Sequence, residues 1–391
     1  MDSTRPGLPA REPVLRALVD ICGPAFARAA GAADAVAGRR ATFVAAPATT
    51  NTVVDTVGLA AERGLAVVPR GSGSKMDWGK RPLGVDLLLD TGRLDGIWHH
   101  DREAATAEIG VGTPIRAVQA ALALSGQRLA VDPPSATATL GGMLAWNESG
   151  PLRHRFGTPA AQIERISYVT SAGDRAESDG EQGRPGIGEI DGVLLSALVR
   201  LEPLPAARRW VTVPVSAARE VPGRVAEIRA LDVQPSAIEV DLPTPAGRRP
   251  PGILAVLLEG DPADVVQRAK RLATGFGVNA AVAPTAPPWW GRYPFARGAV
   301  ALRVTVPIAE LQAAVYALGD ATGIPVPIRG SAGRGGAMHA VLPGTLTAQR
   351  VEGILDAVRG VLLARDGRCV AIAAPPEISA HIDMAQTRDL F

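Results

Sequence analysis

Cysteine is scarce in this chain, which has only Cys22 and Cys369 among its 391 residues. Two cysteines at opposite ends of the sequence are too few for a disulfide framework or for the ligands of an iron–sulfur cluster. Each is therefore interpreted as a small, buried apolar residue.

Long apolar runs are also missing from the sequence. No stretch approaches the ~18 consecutive apolar residues that a membrane-spanning helix needs. The opening sequence, MDSTRPGLPAREP, lacks the charged and apolar regions of a secretory signal. We therefore expect no integral membrane segment and a cytoplasmic location.

Neither sign of charge is in excess, because 41 Lys and Arg residues stand against 39 Asp and Glu residues. The basic residues are scattered, so the electrostatic footprint of a nucleic-acid-binding protein is absent, and we expect no nucleic-acid partner. The hydrophobic content of 47% over this length predicts a sizeable core and two or three domains.

The most informative stretch runs from Leu65 to Arg81 and reads LAVVPRGSGSKMDWGKR. Residues 65–68 are apolar and predict a short buried strand, which Pro69 is expected to end because proline cannot donate to a strand ladder. The glycines and serines of 71–74 allow positive φ and close approach, so consecutive N–H groups can hold an anion such as a pyrophosphate. An ordinary tight turn is the alternative.

Two better-known phosphate loops do not match this spacing. A Rossmann fingerprint needs glycine or alanine where Met76 stands. A Walker A loop ending at Gly79-Lys80 needs glycine in place of Ser74 and Ser or Thr in place of Arg81. The phosphate hypothesis therefore depends on a second stretch.

That second stretch, from Val131 to Gly157, reads VDPPSATATLGGMLAWNESGPLRHRFG, and its small residues let the backbone approach a flat or charged ligand closely. The motif PRGSGSK, followed by DPP, ATLGG, N.SGP and R..FG, resembles the FAD-binding domain of the vanillyl-alcohol oxidase type, also called the PCMH fold. Within that family the chain is most similar to the FAD-binding subunit of bacterial glycolate oxidase. The resemblance extends from about Thr42 to Pro205 and more thinly beyond.

This resemblance implies an α+β fold, in which a PCMH-type FAD-binding domain of two subdomains precedes a cap domain. We expect an N-terminal tail and helix over 1–38, the FAD-binding domain over 39–205 and the cap over 206–391. Beyond Ala206 the strand and helix patterns repeat a ferredoxin-like order twice, and two such units can share one antiparallel sheet with helices on its other face.

The resemblance also implies FAD as the cofactor. We expect it to be non-covalent, because Pro69–Met76 and Val131–Gly150 lack the His or Cys by which related proteins tether the flavin. His154 is expected near the cofactor, since the family runs this segment past the flavin. The residues expected to bind FAD are Pro69, Arg70, Gly71, Ser72, Gly73, Ser74, Lys75, Pro133, Pro134, Thr139, Leu140, Gly141, Gly142, Asn147, Ser149, Gly150, Arg153, Gly192 and Val193.

Oxidation of a 2-hydroxy acid such as glycolate sends a hydride to flavin N5, while a base takes the hydroxyl proton and a cation holds the carboxylate. His339 is the candidate base, and Arg303 and Arg329 are the candidate cations. The alternatives are a structural histidine and solvated or ion-paired arginines. Related catalytic subunits carry a His/Glu metal cluster with an HGDGNLH-like motif, which this chain lacks, so no metal site is expected.

Aromatic residues are concentrated in 289–295, WWGRYPF, although only 4% of the chain is aromatic. This run can wall a substrate pocket, face a partner protein or fill a core-packing loop. His99 and His100, next to Asp101, are interpreted as a solvated turn.

One departure from the family lies before Gly192. Related subunits carry additional residues that pass the flavin ring, whereas this chain has only the polar segment Glu177–Asp191.

Three hypotheses about function follow from the sequence. The first is an FAD-binding oxidoreductase subunit that acts on 2-hydroxy acids with a catalytic flavoprotein and an iron–sulfur partner. The others are a non-catalytic assembly subunit and a self-sufficient flavin oxidase with another substrate.

Overall fold

The computed structural model describes residues 11–179, 187–243, 252–333, 336–386 and Asp389. Residues 1–10 of the expected N-terminal tail and residues 180–186 of the shortened segment lie outside the described residues. Cys22 and Cys369 are both unpaired and buried, as the sequence predicts. Within the described ranges, no helix combines the length and the hydropathy that crossing a bilayer requires.

A small mixed sheet begins the described chain. Its strands are ordered β1-β4-β6-β5, and β6 is central, with its leucines fully buried between parallel neighbours. A capping box of Thr49 and Thr52 begins the helix that packs on it. The elements are α1 (Arg11–Cys22), β1 (Ala27–Ala29), β2 (Ala35–Val36), β3 (Arg39–Arg40), β4 (Phe43–Ala45), α2 (Thr50–Glu62), β5 (Val67–Arg70) and β6 (Leu87–Asp90).

The prediction that Pro69 ends its strand is wrong, because β5 continues through Pro69 to Arg70. Among the described strands, β5 pairs only with β6 and forms an edge of the sheet. An edge strand tolerates proline, since the missing N–H can be on the side that has no partner strand.

A five-stranded antiparallel sheet follows, in the order β11-β10-β12-β8-β7. It packs against two helices through a core that includes Ile109, Val118, Leu140 and Ile166. The elements are β7 (Ile97–Asp101), β8 (Thr106–Gly110), α3 (Ile115–Ala123), β9 (Gln127–Arg128), α4 (Leu140–Ala145), α5 (Arg153–Phe156), β10 (Ile163–Thr170), β11 (Arg175–Ser178), β12 (Gly192–Arg200) and β13 (Glu202–Pro203).

His99 and His100 lie on β7 and not in a turn, so that interpretation is wrong. The strand pairs His99 with Glu108 and His100 with Ala107 on β8, and the His100 ring bonds to Gln127. Both histidines are at the outer edge of the sheet, which explains why the segment is polar although it is extended.

The rest of the chain forms an eight-stranded antiparallel sheet in the order β17-β14-β16-β15-β19-β20-β18-β21. Each half runs β-α-β-β-α-β, and in each half the first strand lies between the third and the fourth. The elements are β14 (Ala207–Val215), α6 (Val221–Ala230), β15 (Ala237–Leu242), β16 (Gly252–Gly260), α7 (Pro262–Phe276), β17 (Ala281–Ala283), β18 (Val300–Thr305), α8 (Leu311–Thr322), β19 (Ile328–Ser331), β20 (Ala337–Leu342), α9 (Ala348–Leu363), β21 (Arg368–Ala373) and α10 (Pro376–Ser379).

The two faces of this large sheet have different partners. On β16, Leu254, Val256 and Leu258 point into the core beneath the helices, while Leu257 packs with Leu152 on the opposite face. Alternate residues of a strand point to opposite faces, so the second face is the one that meets the first part of the chain. The candidate site lies in that interface.

Candidate functional site

The predicted phosphate loop follows β5 directly. Gly73 has a φ of +76°, a left-handed conformation that glycine adopts without steric cost. Within the described part of the chain, the backbone N–H groups of residues 71–75 donate to no other atom, and Ser72 and Ser74 are exposed. Consecutive unused N–H groups of this kind suit an anion such as the pyrophosphate of a nucleotide.

The second predicted stretch lies against this loop through Thr139. A Cβ atom on Gly71 would lie only 2.2 Å from Thr139 Oγ1, so glycine is the one residue that fits there. The first N–H groups of α4, however, already have acceptors. Those of Leu140 and Gly141 donate to the carbonyl groups of Thr113 and Val111, which lie between β8 and α3, and that of Gly142 donates to the Thr139 hydroxyl. Donors for an anion therefore come from the loop and not from α4.

Lys75 ends the loop with its side chain buried. Its ammonium pairs with the carboxylate of Glu148, whose side chain is 1% exposed. Glu148 also accepts hydrogen bonds from the Ser135 N–H at 3.1 Å, the Ser135 hydroxyl at 2.6 Å and the Tyr293 hydroxyl at 2.8 Å. Because Tyr293 precedes β18, this one carboxylate connects both predicted stretches to the large sheet.

Two adjoining cavities lie beside this carboxylate. The first lies between Lys75 and Asn147 on one side and β18 and β20 on the other. The second shares Arg153, Tyr293 and His339 with the first.

The strand register brings the three candidate catalytic residues into one row. His339 on β20 is opposite Arg303 on β18 and Arg329 on β19, and Arg329 is in turn opposite Asp241 on β15. Directly opposite residues of antiparallel strands share a face of the sheet. The row therefore crosses the face that borders the cavities.

The arginines of this region differ in their partners. Arg329 donates from Nε to Asp241 at 2.8 Å. It is therefore an ion-paired arginine, which was the alternative to a role in binding the substrate carboxylate. The guanidinium groups of Arg153 and Arg303 make no hydrogen bond or ion pair with any residue that the structure describes, and Asp389 attracts Arg303 only from a greater distance. Burial lowers the pKa of both, that of Arg153 to about 10. Two half-buried cations without a direct partner favour an anionic ligand.

His339 lies against the edge of Tyr293, with ring centroids 4.9 Å apart. Burial, assisted by the charge of Arg303, lowers the pKa of His339 to about 3, so its imidazole is neutral at pH 7. A neutral imidazole can accept a proton. An anion bound to Arg303 would raise this pKa, because it would offset the positive charge that lowers it.

Aromatic residues close the first cavity. Trp78 packs edge-to-face on Trp146 at 5.4 Å and on Tyr293 at 5.3 Å, and Tyr293 stacks on Phe295 at 4.8 Å. Of the run 289–295, Tyr293 thus lines the cavities, which supports the pocket-wall alternative for this residue. The sequence analysis did not predict Trp78, Trp146 or Glu148 as residues of the site. Glu148 could have been predicted, because it is an acidic residue among the small residues of NESG.

Some predicted cofactor residues lie away from the cavities. Arg70, the last residue of β5, pairs with Asp34 and with Asp90 at the end of β6. Gly192 begins β12, and Val193 is buried in the core between the first two sheets.

Several other predicted residues line the cavities. Pro134, Ser149 and Gly150 line the second cavity, and Asn147 lines the first. His154 lies against Gly333 and does not line either cavity. Across the described residues, no three His, Cys, Asp or Glu side chains are grouped closely enough to hold a metal ion.

Comparisons with known proteins bear on the first part of the chain. Residues 41–178 match a family model described as an FAD binding domain. The glycolate oxidase subunit GlcE of Escherichia coli (strain K12) is 33% identical over 117 residues, which are 29% of this chain and 33% of that protein. An FAD-linked oxidoreductase of Mycobacterium tuberculosis is 25% identical over 146 residues, 37% of this chain and 32% of the relative. The matches thus span about a third of each relative.

A solved structure matches over a much larger part of the chain. The 4-ethylphenol oxidase from Gulosibacter chungangensis superposes with a TM-score of 0.67 at 14% identity, covering 90% of this chain and 86% of the oxidase. This similarity shows a shared fold. The unused N–H groups of residues 71–75 and the glycine fit at Gly71 suit the pyrophosphate of FAD. The chain therefore contains an FAD-binding domain of the PCMH-type fold, and its cofactor is FAD.

Proposed function

We propose that this chain is the FAD-binding subunit of an oxidoreductase that acts on 2-hydroxy acids such as glycolate. One observation carries the proposal: the guanidinium groups of Arg153 and Arg303, both without a hydrogen-bonded or ion-paired partner in the described chain, border a single cavity beside the neutral ring of His339. A carboxylate supplies the missing negative charge, and the adjacent hydroxyl is then close to a proton acceptor.

Each residue of the site has a role in this proposal. The N–H groups of Gly71–Lys75 hold the pyrophosphate, without a covalent bond between protein and flavin. FAD, when bound, supplies the acceptor for the hydride that leaves the substrate carbon. Arg153 and Arg303 orient the substrate carboxylate, and His339 accepts the hydroxyl proton at a ring nitrogen. Trp78 and the aromatic rings around it exclude water from the cavity.

The proposal extends to the domains and partners. Residues 39–205 form the FAD-binding domain, and residues 206–391 form a ferredoxin-like cap. Cys22 and Cys369 are buried and far apart in sequence, so electrons leave through other subunits, namely a catalytic flavoprotein and an iron–sulfur protein. The relative from Escherichia coli carries the word subunit in its name, which agrees with an assembly of this kind. We place this assembly in the cytoplasm.

A non-catalytic assembly subunit is the second candidate. The four donors on Glu148 already bridge the loop, the second stretch and the large sheet, so the interface is held together without a substrate. The shortened segment Glu177–Asp191 favours the same candidate, because a flavin ring with less cover is more open to water.

The test is steady-state reduction of an artificial dye by the FAD-loaded chain, alone and with its partner subunits, on glycolate and D-lactate. We expect turnover only with the partners and its loss in Arg303→Leu. Turnover by the chain alone above about 1 s⁻¹, inside the ordinary enzyme range, would instead favour the self-sufficient oxidase. A chain that takes up no FAD would be the assembly subunit.

A further inference from the structure

The eight-stranded sheet has two edge strands, β21 and β17, and the described residues cover them differently. At the β21 edge, the Gly79 N–H donates to the Ile372 carbonyl at 2.9 Å. The Ala385 N–H donates to the Ala371 carbonyl of the same strand at 2.8 Å. At the other edge, β17 pairs with β14, and no further strand of the described chain lies beside it.

Strand β17 also lacks the protection that edge strands usually have. Its sequence, AVA, carries no charge, and Val282 is 46% exposed. Natural edge strands are commonly covered, or carry charged residues or proline that prevent further pairing. An uncovered and uncharged edge offers its backbone N–H and C=O groups to a strand of another protein.

An apolar groove runs beside this edge, between β17 and α7. Val282 is directly opposite Val211, whose side chain lies in the core beneath the helices, so Val282 is on the same face of the sheet as α7. Val266 on α7 is 48% exposed, and Val278, just before β17, is fully exposed. The three exposed valines line one groove together with Ala269, Ala273 and Ala280. Exposed apolar side chains grouped in this way indicate a protein-binding surface.

The groove continues past Arg209 on β14. Arg209 also lines an adjoining surface depression, together with Leu204, Pro262 and Pro284. The apolar surface beside the β17 edge is therefore longer than the strand itself.

The charged residues that line these two depressions are all basic, namely Arg208, Arg209 and Lys270. Arg208 is paired with Glu259, whereas Arg209 and Lys270 have no ion pair within the part of the chain that the structure describes. Such a surface favours a partner that carries carboxylates. A second copy of this chain would add the same positive charges to the interface, so it is disfavoured as the occupant.

We propose that this surface docks an extended, acidic segment of a partner protein, which adds to the sheet as a strand beside β17. Apolar side chains of the segment lie against Val266 and Val282, and its carboxylates pair with Arg209 and Lys270. None of these residues takes part in the proposed binding of FAD or substrate, so the inference goes beyond the proposed function and does not depend on it.

Two fluorescently labelled peptides, ETVTVTE and KTVTVTK, test this surface by anisotropy with the full chain at low salt. Both can form a strand with valines on one face, and they differ only in the sign of their charges. We expect ETVTVTE to bind about tenfold more tightly, a ratio that corresponds to ~1.4 kcal/mol and that two exposed ion pairs can supply. Lys270→Glu should weaken binding of ETVTVTE and strengthen binding of KTVTVTK.

Val282→Asp should weaken binding of ETVTVTE by at least about tenfold, because it removes an apolar contact and adds a repelling charge. The matched control is Leu363→Asp, which makes the same kind of change at a residue on α9 that is 80% exposed. This variant should bind ETVTVTE as the wild-type chain does.

Equal affinity of the wild-type chain for the two peptides, or binding of neither, would overturn the proposal. The same loss of binding in Leu363→Asp as in Val282→Asp would also overturn it, because the effect would then not come from the groove. A wild-type dimer in sedimentation that becomes monomeric in Val282→Asp would assign the groove to a second copy and contradict the acidic partner.

Discussion

Lys75 and Glu148, which are 73 positions apart in the sequence, form a buried ion pair at the edge of the first cavity. The lysine ends the phosphate loop, and the carboxylate lies in the second stretch and accepts from Tyr293 as well. The pair therefore fixes three parts of the chain relative to one another. Its side chains are almost fully buried, so each charge depends on the other for compensation.

The first prediction concerns that dependence. Glu148→Gln leaves the Lys75 ammonium buried without a counter-ion, and the free energy of unfolding should fall by about 3–5 kcal/mol. Urea unfolding measures the change. The double variant Lys75→Met with Glu148→Gln should recover part of the loss, because it removes the unpaired charge.

The matched control for this prediction is Glu227→Gln, which removes one partner of the more exposed Arg224–Glu227 pair. Its effect should stay within about 1 kcal/mol. A Glu148→Gln variant as stable as this control would contradict the structural role of the buried pair.

The second prediction concerns the fit of the phosphate loop. Gly71→Val should lower FAD affinity by more than tenfold, because the added atoms collide with Thr139 Oγ1 and displace the loop donors. Ser72→Ala should cost only about 1 kcal/mol, the value of one hydrogen bond. Fluorescence titration with FAD provides both affinities.

Gly58→Ala is the control for Gly71→Val, since a Cβ there meets no atom within 4 Å. It should bind FAD as the wild-type chain does. Wild-type FAD affinity in Gly71→Val would rule out this loop as the pyrophosphate site.

The third prediction is that FAD is released by denaturation. Neither Pro69–Met76 nor Val131–Gly150 contains a His or Cys that can form a bond to the flavin. Acid precipitation of the loaded chain should therefore leave the yellow colour in the supernatant. Colour that remains in the pellet would indicate a covalent link from another residue.

The fourth prediction concerns Asp132 and pH. Burial raises the pKa of this carboxyl to about 8, although it accepts hydrogen bonds from the Leu152 N–H. In the unfolded chain the pKa is about 3.9, so the folded state holds a proton that the unfolded state has lost. The resulting stability is complete below about pH 4 and is lost as the pH rises through about 8.

Urea unfolding of Asp132→Asn between pH 4 and 8 measures this contribution. The amide still accepts from Leu152 but cannot titrate, so the decline in stability over that range should be smaller than in the wild-type chain. Equal pH dependence in the two proteins would mean that Asp132 is ionised in the folded state at neutral pH.

The sequence predicts the parts of the site that depend on local pattern. The strand and glycine loop at residues 67–75, and the strands that carry Arg303 and His339, follow from apolar runs and turn residues. The structure adds the register that makes those two residues neighbours. Sequence alone cannot supply a register between strands that are far apart in the chain.

Other features depend on long-range packing and could not be predicted. Glu148 and Glu239 are ordinary acidic residues in the sequence. Only the fold shows that Glu148 is ion-paired and that Oε1 of Glu239 has no hydrogen-bond partner among the described residues. Pro69 lies inside a strand because that strand is at a sheet edge, a position that no local pattern specifies. The short strand β17 is mostly exposed and has no apolar alternation by which to recognise it.

The absorbance spectrum of the purified chain after incubation with FAD and removal of free flavin tests the central claim most directly. We predict the two visible bands of a bound flavin in the wild-type chain, at equimolar content, and their loss in Gly71→Val. A wild-type chain that is folded by circular dichroism but retains no flavin would contradict the assignment of this site.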